Sequence, residues 1–142
     1  MEYIKQEQEF GCVFACIAMI VEIDYWTVRN GFPKYRFKKE LGKETGISAT
    51  DDAESYLFYN GYVGHTNYST VGFSQIKRKS NEWIKEFAPI HIVSVVLNGH
   101  IHACVLKDGI IYDPYREGKY TFEDYEKVNS ITGFWSISCF KK

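Results

Sequence analysis

Three features of this 142-residue sequence predict an α+β fold, with helices packed on an antiparallel sheet that follows them. An apolar segment beginning at Cys12 has helical character. From Ile90 onward the chain becomes β-branched and apolar. Two strong hairpin signals, Asn98-Gly99 and Asp108-Gly109, punctuate that second half.

The elements follow in order. Gly11 precedes Cys12 to Val21, a helix apolar nearly all round and so buried. Asp24 caps a short helix through Val28 that Asn30-Gly31 and Pro33 end. Lys34 to Ile47 is polar and reads as partly loop. Thr50 caps a helix with Asp51, Asp52 and Glu54 in its first turn, where the helix dipole favours acids, and Asn60-Gly61 closes it. Ser80 caps a third helix, Asn81 to Phe87. Ile90 to Leu97, His100 to Leu106 and Ile110 to Asp113 then read as strands joined by tight turns. Thr121 caps a helix from Phe122 to Lys127, and Ile131 to Phe140 is the last strand. With no repeat, linker or low-complexity stretch, residues 1–142 read as one domain.

Composition narrows the function. The net charge is −1, and the one basic run, Lys77-Arg78-Lys79, is short, so no nucleic-acid partner is expected. No apolar stretch approaches the about 18 residues of a membrane span, and the first residues lack the layout of a signal peptide; no membrane partner and a cytoplasmic location are expected. The four cysteines, Cys12, Cys16, Cys104 and Cys139, then read as reduced thiols. No Gly-rich phosphate loop and no Gly-x-Ser-x-Gly elbow is present.

The residues suited to chemistry are few. Cys12 stands where a loop becomes a helix, and the unpaired N–H groups there favour a thiolate and an oxyanion beside it. Gln6, or its competitor Gln8, could add a side-chain donor. His100 and His102 share one strand face with Cys104. A two-residue Asp108-Gly109 turn pairs Lys107 with Ile110, Leu106 with Ile111 and Val105 with Tyr112. Asp113 then falls diagonal to His102, about 7–8 Å away between backbones and within side-chain reach, whereas His100 lies too far off. His102 is thus the histidine that a carboxylate can orient. A zinc site on Cys12, Cys16, His100 and His102 is the weaker alternative, because Cys16 falls mid-helix rather than in a turn. Cys104 and Cys139 read as small core residues, and His65 and His91 have no evident partner.

The stretch Gln-Glu-Gln-Glu-Phe-Gly-Cys-Val-Phe-Ala-Cys-Ile-Ala-Met-Ile, from Gln6 to Ile20, resembles the opening motif of the C39 peptidases, the papain-like bacteriocin-processing family. The Gln-to-Cys spacing, Ala15, Cys16 and Met19 carry the likeness. A second likeness runs from His102 to Asp113-Pro114, a strand histidine followed by Asp-Pro. The resemblance implies a papain-like fold with no cofactor. It implies Cys12 as nucleophile, His102 as base, Asp113 as its orienter and Gln6 as oxyanion donor. It also implies hydrolysis of a peptide or related amide bond through a thioester. Two positions depart from the pattern: Gly11 stands where the family has Asp, and Val13 where it has Gly, which puts cleavage after a double glycine in doubt. A domain of this size also resembles free-standing C39-like proteins of phage and bacterial genomes, which makes a host or partner protein a further expected partner. Two alternatives stay open on sequence grounds: deamidation or transglutamination on the same residues, and a papain-fold binding protein using surface tyrosines such as Tyr56, Tyr59, Tyr62 and Tyr68.

Overall fold

The structure is a computed structural model that describes residues 1–9, 11–32, 37–40, 43–47, 50–67, 90–97, 100–115, 118–128 and 135–142. Helix α1 (Cys12–Val21) is buried along Phe14 to Ile20. Helix α2 (Tyr25–Asn30) is capped by Asp24, whose Oδ1 accepts the Thr27 N–H at 3.0 Å. Strands β1 (Phe37–Glu40) and β2 (Lys43–Ile47) form a hairpin of their own. Helix α3 (Thr50–Tyr59) leads through Gly61, at φ 93°, into β3 (Tyr62–Asn67). Strands β4 (Ile90–Leu97), β5 (His100–Lys107), β6 (Ile110–Tyr112) and β7 (Lys119–Thr121) follow. Helix α4 (Phe122–Val128) and strand β8 (Ser136–Lys141) complete the described chain.

The six-stranded sheet runs β3-β8-β4-β5-β6-β7, antiparallel throughout. On one face, Ile92, Ala103, Val105 and Ile137 pack against the buried side of α1 and against Val28, Ala53 and Leu57. On the other, Val93, Val95, Cys104, Leu106 and Ile111 pack against Phe122 and Tyr125 of α4. Coverage on both faces explains why apolar residues stand side by side, as at Ile92 and Val93, rather than strictly alternating with polar ones.

The hairpin at Asp108-Gly109 has the register that its turn chemistry predicts. Asp108 (φ 52°) and Gly109 (φ 76°) are both left-handed, as a type I′ turn needs, and Lys107 pairs with Ile110, Leu106 with Ile111 and Val105 with Tyr112. Two expectations need correction. Within Lys34 to Ile47, read as partly loop, Lys43–Ile47 is a strand paired with Phe37–Glu40. The helices-first order also breaks at β3, an edge strand from the first half that pairs with β8. The β3 side chains alternate between half-buried and exposed, and a polar edge strand of this kind carries little hydrophobic signal. Thr50 is the first helical residue rather than the residue before it, a shift of one position. The third helix at Asn81 to Phe87, the basic run Lys77-Arg78-Lys79 and Tyr68 lie outside the described residues. Among the described residues no helix is long and apolar enough to cross a membrane.

Candidate active site

The site forms where the N-terminus of α1 meets β5, which pack against each other. Gly11 is the N-cap of α1 and provides no side-chain cap; the first intrahelical bond is Ala15 N–H to Gly11 carbonyl, at 3.1 Å. The N–H groups of Cys12 and Val13 therefore sit at the positive end of the helix. Gly11 is required by space rather than backbone conformation. A Cβ there would lie 1.8 Å from the Tyr25 hydroxyl, which donates to Gln8 Oε1 at 2.9 Å. Tyr25 thus occupies the volume that a side chain at position 11 would need.

On the sheet side His102 and Asp113 meet. His102 Nε2 lies 2.7 Å from Asp113 Oδ1, and the two residues are 7% and 0% exposed. Asp113 Oδ1 also accepts the Tyr115 backbone N–H at 2.9 Å, and Asp113 Oδ2 accepts the Tyr125 hydroxyl at 2.7 Å. Burial works to raise the Asp113 carboxyl. Hydrogen bonds from His102, Tyr125 and Tyr115 outweigh it and hold the group below the usual carboxylate range. For His102 burial disfavours the charged ring, but the Asp113 bond, then the thiols of Cys104 and Cys12, shift it upward. Cys12 is half-buried and is one of the two thiols that shift the ring upward.

Gln6 is buried, 9% exposed, and its backbone N–H donates to the Pro114 carbonyl at 2.9 Å. Its side-chain Nε2 donates to the carbonyls of Gln8 and Glu9, both at 2.9 Å, so its two hydrogens brace the turn before Cys12. Gln6 Oε1 is buried with no hydrogen-bond partner among the described residues. Tyr3 adds a second tie across the same corner, its hydroxyl donating to the Asp113 carbonyl at 2.7 Å. The competitor Gln8 is held away by Tyr25. His100 opens β5 with its backbone opposite Leu97, two residues before His102.

Cys16 is fully buried one turn along α1, and burial pushes its thiol well up, with smaller contributions from Cys104 and Cys12. Cys104 is buried as a core residue is, but it also belongs to the site: its Sγ lies 3.4 Å from the Tyr125 hydroxyl, and burial pushes its thiol up to about 11. Cys139 is an inner core residue, and His91, which the sequence left without a partner, has Nδ1 3.0 Å from Ser138 Oγ. All four cysteines are free thiols. Among the described residues the one group suited to gather round a metal is His102, Cys104 and Asp113, whose ligand atoms lie within 4.8 Å of one another. In the structure Nε2 and Oδ1 face each other across a short hydrogen bond and Oδ2 is engaged by Tyr125, so these donors satisfy one another. Tyr125 is the site residue that the sequence reading missed. The one available signal was its place on the capped helix after β7, and nothing local aims it at Asp113.

No protein-family model matches the chain. No curated protein matches it either. Among solved structures, the chain is similar to the crystal structure of a double glycine motif protease from an AMS/PCAT transporter, in complex with the leader peptide. The TM-score is 0.65 at 19% identity, over 99% of this chain and 91% of that one. The chain therefore has the α+β, papain-like fold of that peptidase, with helices packed on an antiparallel sheet.

Proposed function

We propose that this protein is a cysteine hydrolase of the C39 type that cleaves a peptide or related amide bond through a thioester on Cys12. The observation that carries the reading is the ionised Asp113 carboxylate 2.7 Å from His102 Nε2, on a strand packed against the helix whose uncapped N-terminus bears Cys12. That is the arrangement that nucleophilic catalysis by cysteine needs, a base within reach of the nucleophile and a third group that orients the base.

The steps follow from these roles. The Cys12 thiol passes its proton to His102, and the thiolate attacks the carbonyl carbon. The oxyanion that forms is met by the Cys12 backbone N–H and the free end of α1. Gln6 supplies the second donor when the oxyanion draws one of its N–H groups from the Gln8 or Glu9 carbonyl. His102 then protonates the leaving amine, the C–N bond breaks and the thioester remains. A water, deprotonated by His102, attacks the thioester and releases the acid and the Cys12 thiol. Asp113 holds the ring in the tautomer that places the other nitrogen toward sulfur throughout.

The similar protease was solved with a leader peptide, which favours a peptide chain over a small amide as substrate. The bulk of Val13 beside the nucleophile argues for a preference other than double glycine. The test is digestion of a peptide mixture by the wild type and Cys12→Ala, read by mass spectrometry. New backbone termini with the wild type alone are expected, with a loss on the order of 10³-fold or more in the variant. Conversion of side-chain amides to acids with no cut backbone would replace hydrolysis of peptides by deamidation. Cleavage by folded Cys12→Ala would overturn the reading.

A further inference from the structure

The buried side of the site holds two groups that the proposed chemistry does not use, the Tyr125 hydroxyl and the Cys104 thiol. Asp113 is fully buried, and the donors seen on its carboxylate are neutral groups and the His102 ring. A carboxylate out of water stays ionised when donors replace its hydration, and each donor that points at the charged form lowers its acidity constant further. Oδ1 has the ring and a backbone N–H. On Oδ2 the Tyr125 hydroxyl stands at 2.7 Å.

A tyrosine hydroxyl has one hydrogen, and the carboxylate is the stronger of the two acceptors near it. That hydrogen therefore goes to Asp113, and the contact at 3.4 Å is made by the Cys104 S–H donating to the Tyr125 oxygen. The Cys104 thiol, pushed up to about 11 by burial, keeps its proton for this purpose. The result is a directed chain, Cys104 S–H to Tyr125 O–H to Asp113 to the His102 ring, with the Cys104 sulfur also close to that ring. The order of these donors fixes which way the tyrosine hydrogen points.

We infer that Tyr125 is a positioning residue that keeps Asp113 ionised and aimed at His102, and that the Cys104 thiol holds Tyr125 in that orientation. The inference deepens the hydrolase reading and takes the His102–Asp113 pair from it. Its chemical content does not depend on a substrate, because it concerns the acidity of one buried carboxyl.

The test follows the Asp113 carboxyl carbon by NMR as pH falls, with Asp113→Asn identifying the signal, in the wild type, Tyr125→Phe, Cys104→Ala and Cys104→Ser. Tyr125→Phe keeps the ring and removes the hydroxyl; its Asp113 midpoint is expected to rise by about one pH unit. Cys104→Ala is expected to shift the midpoint the same way by less, and Cys104→Ser, which restores a donor, to return it toward the wild type. A merely structural role would lower thermal stability in all variants without moving that midpoint. An unchanged midpoint in folded Tyr125→Phe overturns the inference; should that variant not fold, an unchanged midpoint in Cys104→Ala does so. Alkylation of Cys12 by iodoacetamide in the same proteins separates the two readings. If Cys12 reacts as an ordinary thiol while the Asp113 midpoint still moves, the positioning inference stands and the hydrolase reading falls.

Discussion

The two halves of the candidate site are built in opposite ways. On the sheet side, Asp113 is buried and met by the His102 ring, the Tyr115 N–H and the Tyr125 hydroxyl, and His102 itself is nearly closed off. On the helix side, Cys12 is half-buried, α1 has no side-chain cap, and Gln6 Oε1 is buried without a partner among the described residues. One half is satisfied before any substrate arrives, and the other keeps donors and an acceptor in hand. On the proposed hydrolase reading, each half has its own task. The base and its orienter are preorganised, so their geometry costs nothing at the moment of reaction. The nucleophile side leaves polar groups for an acyl group and its oxyanion to complete.

That contrast can be broken from the closed side first. Asp113→Asn keeps the shape but donates where the carboxylate accepts, which turns the His102 tautomer the wrong way. A loss on the order of 10³-fold in turnover is expected, measured on whatever peptide the digestion identifies. The same variant carries a pH signature. Asp113 in the folded chain is held below its ordinary value, so its share of stability is present above about pH 4, the unfolded value, and is lost as pH falls below that. Urea unfolding from pH 6 down to pH 2, at about unit steps, therefore has a steeper acid limb in the wild type than in Asp113→Asn. Equal acid limbs would mean that the carboxylate contributes no such linkage.

The open side gives a smaller effect of a different kind. Gly11→Ala places a methyl 1.8 Å from the Tyr25 hydroxyl, so Tyr25 must move and its bond to Gln8 must break. Overpacking of this sort costs about 1–3 kcal/mol, readable as a lower urea midpoint. Tyr25→Phe in the same chain removes the nearest clashing atom and is expected to recover part of that loss, a coupling that a double-mutant cycle measures. Additive losses would show that Tyr25 does not set the identity of residue 11.

How much of this was legible in the sequence follows the range of the interactions. Asp108-Gly109 dictates a turn type, the turn dictates a register, and the register puts Asp113 diagonal to His102; every link is local, so the pairing could be read off the chain. Cys12 at a helix start was equally local. Gln6 was legible as a position but not as a set of contacts, since its bonds to Gln8 and Glu9 depend on the fold of the turn. Tyr125 and Tyr25 were not legible at all. Each reaches its target across 12 to 17 residues through the packing of a helix, and a tyrosine on a half-buried helix face looks the same whether its hydroxyl meets water or a carboxylate. The edge strand β3 was missed because its partner is the last strand of the chain, more than 60 residues away.

Whether Cys12 and His102 act as a pair can be tested without knowing the substrate. The rate of Cys12 alkylation by iodoacetamide is measured against pH in the wild type and in His102→Ala, with the modified residue read by mass spectrometry. Cys12 is expected to react faster in the wild type than in His102→Ala, because the pair supplies the attacking thiolate. Ordinary thiol reactivity in both proteins, with the two profiles superimposed, would contradict it.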